Sequence, residues 1–219
     1  MLFTQKEKKE IRARLAEMQD PVEIVNFTEM FESVFMRETR EVLEALTEFS
    51  GRVKLTSLDF NDDSDLASKY GVGQLPATLL IGEKDFGVRY YGMLTGFQFR
   101  TLLDDILMIS QGDSGLKTQT RAGLKQIESK TAVDVFVTTT NKAGAHDARL
   151  AHQFAMENDF ISSNMIEFSG FPDLAQKYQV SDSPKTVING WGIPYENMSE
   201  ELLLSELTRC ASYQMSTLY

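Results

Sequence analysis

Cysteine is nearly absent from this 219-residue chain, in which Cys210 is the one example. A single cysteine cannot form an internal disulfide, so the chain is not a disulfide-stapled secreted domain, and we expect a cytoplasmic location. Histidine is almost as scarce. His146 and His152 are six residues apart and would lie about 120° off the same helix face, a poor spacing for a shared metal. We therefore expect neither a metal ion nor a cofactor.

Basic charge and long apolar runs are also lacking. The chain has 22 basic and 32 acidic residues, which gives a net charge of −10. This excess argues against non-specific nucleic-acid binding and against an anionic membrane surface. No apolar run approaches the roughly 20 residues that span a bilayer. The first 17 residues are charged and helical in pattern, unlike a signal peptide.

An internal repeat is the most informative feature that is present. Residues 65–78 recur as residues 173–186, with 8 of 14 positions identical and an offset of 108 residues. An offset this long indicates a duplicated domain, because solenoid repeats have shorter periods. Turn-forming residues cluster at Gln111–Gly115, so we predict one unit at residues 1–112 and a second at residues 113–219.

Each copy has the same predicted order of elements: strand, long helix, strand, short helix, strand, hairpin strand and closing helix. The first copy gives Val22–Thr28, Phe31–Phe49, Val53–Phe60, Ser64–Tyr70, Thr78–Ile81, Gly87–Tyr91 and Gly96–Ser110. The second gives Val133–Thr138, Ala143–Asn158, Asn164–Phe168, Asp173–Tyr178, Thr186–Ile188, a hairpin at Asn189–Gly192 and Ser199–Ser212. Helices at Gln5–Met18 and Leu116–Lys130 precede the two copies. This order predicts an α/β fold in which each unit is a mixed central sheet flanked by helices.

A proline opens the third strand of each copy, as in the thioredoxin fold. The chain resembles the protein disulfide oxidoreductases of thermophiles, glutaredoxin-like proteins built from two tandem thioredoxin-like units. The resemblance covers nearly the whole chain. It is carried by residues 84–92, 99–106, 135–138 and 149–155 and by both proline segments. Leu94 stands where the family has a proline.

The family's two Cys-x-x-Cys pairs are missing. Alignment of the first unit places one pair at Ser33 and Met36, and alignment of the second places the other at Asn141 and Gly144. The two alignments agree with the 108-residue offset. Thiol–disulfide exchange needs an attacking thiolate and a resolving thiol, so we predict a redox-inactive chain. Ser33 and Asn141 are good N-cap residues, and capping is their predicted role.

The resemblance implies cis peptide bonds at Leu75–Pro76 and Ser183–Pro184. In active relatives the backbone of the residue before this proline pairs with an extended peptide, which requires no cysteine. The predicted binding grooves comprise Ser33, Leu75 and Pro76 in the first unit and Asn141, Ser183 and Pro184 in the second.

Apolar residues crowd the first of these edges, and they allow two interpretations. They pack the long helix onto the sheet, or they form an exposed patch that binds a partner. The residues concerned are Phe27, Met30, Phe31, Phe35 and Met36.

The leading functional hypothesis is a non-catalytic peptide- or protein-binding module. One alternative is a residual glutaredoxin-like or glutathione-linked oxidoreductase that uses Cys210 or an external thiol. Cys210 shares a helical stripe with Leu203, Leu204 and Leu207, however, which predicts a buried side chain. A third possibility is a homodimer or a subunit of a larger complex.

Overall fold

The computed structural model describes residues 2–216, with side chains through Ala211. The chain divides into two compact units. The first runs from the N-terminus to Asp85 and from Tyr90 to Asp113, and the second comprises Phe86–Arg89 and the chain from Ser114 onward. Among the described residues, no helix combines the length and the apolar character needed to cross a bilayer.

The first half of the chain forms a mixed sheet with strand order β2-β1-β3-β4, flanked by helices, although the middle of β4 is grouped with the second unit. Strand β1 runs parallel to β2, with Val22 opposite Val53, and antiparallel to β3, with Phe27 opposite Ala77. The elements are α1 (Gln5–Leu15), β1 (Val22–Thr28), α2 (Val34–Phe49), β2 (Val53–Asp59), α3 (Ser64–Tyr70), β3 (Ala77–Ile81), β4 (Asp85–Tyr91) and α4 (Gly96–Gln111).

The second unit repeats this arrangement with strand order β6-β5-β7-β8. Strand β5 is parallel to β6, with Thr131 opposite Ile161, and antiparallel to β7, with Phe136 opposite Lys185. The elements are α5 (Thr118–Leu124), β5 (Thr131–Val137), α6 (Lys142–Glu157), β6 (Ile161–Glu167), a 3-10 turn (Phe168–Gly170), α7 (Pro172–Lys177), β7 (Lys185–Ile188), β8 (Trp191–Ile193) and α8 (Glu200–Ser216).

The predicted fold class is confirmed, since each unit is a mixed central sheet flanked by helices. Amphipathic patterning explains the long helix of the first unit. Val42, Leu43 and Leu46 are buried on one face of α2, while Glu41 and Glu44 are exposed on the other. Burial of that apolar stripe holds the start of α2 at the edge of the sheet.

Several predicted helix boundaries are wrong. The first helix ends at Leu15 rather than Met18, and α8 ends at Ser216 rather than Ser212. The linker helix predicted at Leu116–Lys130 is only Thr118–Leu124, because the side-chain amide of Asn158 donates to the carbonyls of Leu124 and Ile127 at 2.6 and 2.9 Å. These bonds satisfy the carbonyls at the helix end and leave the following turn non-helical. Helix α2 begins at Val34 rather than Phe31, because Ser33 is its N-cap.

One edge of each sheet is where β1 or β5 ends and the proline-started strand begins. In the first unit, Thr28 closes β1 opposite Asp59 of β2, and the amide of Phe60 donates to the carbonyl of Thr28 at 2.8 Å. The register of β1 with β3 places Pro76 beside the same end of β1. The loop after β1, which leads to Ser33, and the segment before β3, which holds Leu75 and Pro76, therefore lie at the same edge of the sheet.

Candidate functional site

Ser33 caps helix α2, as predicted. Its exposed side-chain oxygen accepts a hydrogen bond from the Met36 amide at 3.3 Å, and within residues 2–216 this is the sole hydrogen bond at that oxygen. Met36 is buried. Of the two positions predicted for the first-unit dithiol, residue 33 thus holds a capping hydroxyl, and residue 36 holds a buried side chain that has no nucleophile.

Glu32, the residue before Ser33, forms an ion pair with Arg40. Arg40 donates from Nε to Glu32 Oε1 at 2.9 Å and from Nη2 to Glu32 Oε2 at 3.1 Å. Thr28 Oγ1 also donates to Glu32 at 3.3 Å. The hydrogen bonds from Arg40 lower the pKa of Glu32, so this carboxylate is a weak base. It cannot activate the Ser33 hydroxyl as a nucleophile.

The proline segment of the first unit leaves one residue open for pairing. The Leu75–Pro76 bond is cis. The Pro76 carbonyl accepts from the Gly92 amide at 3.1 Å, and Thr39 Oγ1 donates to the Gly92 carbonyl at 3.5 Å, which links α2 to this segment. Among the residues that the structure describes, none hydrogen-bonds the backbone N–H or C=O of the half-buried Leu75.

The apolar residues at this edge divide between the two interpretations. Phe27 and Met36 are buried and pack in the core. Met30 and Phe31 are 77% and 86% exposed, and Val34 and Phe35 at the start of α2 are 55% and 50% exposed. We call Met30, Phe31, Val34 and Phe35 the first-unit patch. Sequence reasoning missed Val34, whose position in the first turn of α2 signals exposure once Ser33 is taken as the N-cap.

The second unit differs because Asn141 makes an additional bond. Its side-chain oxygen caps α6 by accepting from the Gly144 amide at 3.0 Å, as predicted. Its side-chain nitrogen also donates to the carbonyl of Ser183 at 2.5 Å. The Ser183 amide donates to Asp182 Oδ1 at 2.8 Å. Both backbone groups of the residue before the cis Ser183–Pro184 bond are therefore already hydrogen-bonded.

Close packing also fills the second edge. A Cβ atom at Gly144 would lie 3.0 Å from Val137 Cγ1 and 3.2 Å from Ser183 Oγ, so a side chain there requires its neighbours to move. Ser183 Oγ in turn accepts from the Thr138 amide at 3.2 Å. Three consecutive threonines, Thr138 to Thr140, occupy the loop that carries aromatic and methionine side chains in the first unit. The two predicted grooves are thus unequal, since only the first has an unpaired backbone beside an apolar surface.

The one thiol, Cys210, is on α8 of the second unit. Cys210 is 2% exposed, and Leu203 and Leu207 of its predicted stripe are fully buried, while Leu204 is half-buried. Burial raises the pKa of the Cys210 thiol because the thiolate is the charged form, and the charge of Glu206 adds to this effect, while Arg209 opposes it. Nucleophilic and redox chemistry of cysteine needs an accessible thiolate. Cys210 therefore has the environment of a structural cysteine.

The histidines do not come together in the fold. His146 is exposed, with Nδ1 3.0 Å from Asp147 Oδ1, whereas His152 is buried. Within the described part of the chain, no three histidine, cysteine or acidic side chains are grouped closely enough to hold a metal ion.

The two units define a protein of tandem thioredoxin fold. A protein disulfide oxidoreductase from Aeropyrum pernix K1 is 28% identical to this chain, with a TM-score of 0.89 over 95% of this chain and 94% of that one. The resemblance to that family predicted from the sequence is confirmed by this structural match. No protein-family model and no curated protein sequence matches the chain.

Two further structures share the fold alone. The alkylhydroperoxide reductase AhpF of Enterococcus faecalis is 15% identical, with a TM-score of 0.86 over 94% of this chain and all of that one. A protein of Sulfolobus solfataricus, Sso1120, is 17% identical, with a TM-score of 0.63 over 86% of this chain and 99% of that one. The fold is thus one used by redox proteins.

The two N-caps predict unequal stability losses. Ser33→Ala should lower the free energy of unfolding by about 1 kcal/mol, the usual value of a cap, because Ser33 bonds only its own helix. Asn141→Ala should cost about 2 kcal/mol, because it also leaves the buried Ser183 carbonyl unpaired. Asn141→Asp should remain destabilised despite keeping the cap, because a carboxylate cannot donate to that carbonyl. Urea unfolding monitored by circular dichroism measures all three, and equal losses for the two alanine variants would contradict the Asn141–Ser183 bond.

Cys210 should react slowly in the folded protein. At pH 8 a colorimetric disulfide reagent is expected to modify it at least about 100-fold more slowly than in urea, because the thiol is buried and its pKa is raised. The folded rate should increase with pH as the thiolate forms. A folded rate close to that of an unfolded thiol would show that Cys210 is accessible.

Proposed function

We propose that this chain is a redox-inactive tandem thioredoxin-fold protein that binds an extended polypeptide at the edge of its first unit. The observation that carries the proposal is the first-unit patch, which lies at the same sheet edge as the unpaired backbone of Leu75. Strand addition uses such a combination, because main-chain hydrogen bonds provide affinity while neighbouring apolar surfaces select side chains.

Each part of the edge has a task in this proposal. The N–H and C=O of Leu75 pair with the backbone of the bound segment. Phe31 and Phe35 are exposed by at least half and lose apolar surface to an anchor side chain on binding. The Thr39–Gly92–Pro76 hydrogen bonds fix the segment before β3 relative to α2, so the edge is preorganised. In the second unit the Asn141 side chain already bonds the Ser183 carbonyl, and this supports a single binding groove, in the first unit.

An oxidoreductase is the weaker candidate. The resemblance to disulfide oxidoreductases favours it, but the predicted dithiol positions hold no cysteine, and the thiol of Cys210 is buried. The proposal also includes a cytoplasmic location, for which the single cysteine is the support.

Peptide binding is tested with a fluorescent nine-residue peptide in which Val-Leu-Phe-Val-Leu lies between serine pairs. We expect a dissociation constant on the order of 10 μM by anisotropy. Phe31→Ser combined with Phe35→Ser should weaken binding at least about tenfold, because two aromatic contacts are lost. The matched control is Phe160→Ser with Tyr195→Ser, which removes two exposed aromatic side chains of the second unit and should leave affinity unchanged.

Strand addition has a separate test in the peptide itself. Methylation of the central phenylalanine nitrogen removes one main-chain donor without altering the protein, and should weaken binding about tenfold. Binding that is insensitive both to this change and to the Phe31 and Phe35 substitutions would contradict the proposed groove.

Exchange activity tests the redox part of the proposal. The native chain should reduce insulin no faster than background. Ser33→Cys with Met36→Cys should restore measurable exchange, because the thioredoxin scaffold and the start of α2 are intact. Asn141→Cys with Gly144→Cys should restore little, because a side chain at residue 144 is crowded. Native activity that Cys210→Ala abolishes would establish the oxidoreductase instead.

A further inference from the structure

Unpaired carboxylates adjoin the first-unit patch in the chain or follow the neighbouring strand at the same sheet edge. Glu29 precedes Met30 directly, and Glu38 lies one helical turn beyond Val34. Asp62 and Asp65 follow strand β2, whose last residue is paired with the last residue of β1. Within residues 2–216, none of these four carboxylates forms an ion pair.

Local basic residues do not balance this charge. Residues 29–38 and 59–65 contain seven acidic residues and one basic residue, Arg37. The nearby Arg40 is committed to Glu32 and Glu44, which it contacts at 2.9 and 2.8 Å. The apolar surface is therefore bordered by an excess of negative charge that remains after internal pairing.

The net charge of the protein does not by itself explain this border. The corresponding loop and helix start in the second unit, residues 138–146, contain no acidic residue and one lysine, Lys142. That is also the unit in which Asn141 occupies the Ser183 carbonyl. The second-unit residues 167–173, which correspond to 59–65, hold two acidic residues, the buried Glu167 and the exposed Asp173, against four in the first unit. The acidic border is thus denser at the open groove than at the closed one.

Charge complementarity selects between possible occupants. A second copy of the chain would bring the same carboxylates against themselves, and like-charge juxtaposition opposes association. A segment with acidic flanks meets the same repulsion. A segment with lysine or arginine on either side of its apolar anchors places cations next to unpaired carboxylates, which favours correct register and a faster encounter.

We infer that the occupant of the first-unit groove is an extended segment of a partner protein that has apolar anchor residues flanked by lysine or arginine. This inference rests on the proposed function and specifies the partner's chemistry. The patch and the Leu75 backbone provide the contacts, and Glu29, Glu38, Asp62 and Asp65 provide selectivity.

The test uses three peptides with the same Val-Leu-Phe-Val-Leu centre and pairs of lysine, serine or glutamate at both ends. Anisotropy titrations at low salt should rank them lysine, serine, glutamate, with about tenfold between the first and last, because several rim ion pairs of modest strength add up. At about 0.5 M salt the preference should shrink, because exposed charges are screened.

A quadruple variant tests whether the four carboxylates beside the patch cause the preference for the lysine-flanked peptide. Glu29→Gln, Glu38→Gln, Asp62→Asn and Asp65→Asn together should abolish the preference for lysine while leaving the affinity for the serine peptide within about twofold. The matched control removes four exposed carboxylates elsewhere, with Glu83→Gln, Glu128→Gln, Asp173→Asn and Glu196→Gln. This control changes the net charge equally and should retain the preference.

The outcomes separate the inference from the proposed function. If the peptides bind in a manner that depends on Phe31 and Phe35 but without a preference for lysine, the groove stands and the inference is overturned. If the control variant loses the preference as fully as the border variant, overall charge is responsible and the inference is again overturned. If no peptide binds, the proposed function fails, and the inference fails with it.

Discussion

The organisation of both edges depends on how the long helix of each unit begins. The first N–H groups of a helix lack partners within it, so a side chain must supply an oxygen where α2 or α6 meets the sheet. Ser33 and Asn141 supply that oxygen. A cap requires only an acceptor and no sulfur, so the helix start and the adjoining proline segment keep their geometry without cysteine. Because the cap does not depend on the thiol, the thioredoxin scaffold persists in a chain whose sole thiol is buried.

The two caps meet the same requirement with different consequences. A serine side chain is too short to reach beyond its own helix, and the backbone of Leu75 stays unpaired. An asparagine side chain has a donor as well as an acceptor, and Asn141 uses the donor on the Ser183 carbonyl. The first edge therefore combines a free backbone with apolar side chains and negative charge, while the second is polar and internally bonded. The two copies of one fold thus differ at this edge, and the proposed groove lies in the first.

Much of this could be predicted from the sequence, because local patterns and the repeat point to the same fold. The range of β1, the range of α3 and both N-caps follow from alternation, helix periodicity and cap preference. The bond from Asn141 to Ser183 could not be predicted, since it joins residues 42 apart through a particular side-chain orientation. The division of the apolar cluster also depends on tertiary packing, which buries Phe27 with its ring against Tyr70 of α3 and leaves Phe31 exposed. The linker helix was predicted too long because its end is set by the distant Asn158.

Hydrogen exchange of the full chain with and without the lysine-flanked peptide tests the central claim most directly, because it locates the groove without substitution. The account predicts slower exchange at the Leu75 amide and across residues 30–36, with no change across residues 138–144 or at Ser183. The Ser183 amide is already bonded to Asp182 in the free protein. Slower exchange centred on the second edge would contradict the account. So would a protein saturated with peptide that shows no slower exchange at Leu75.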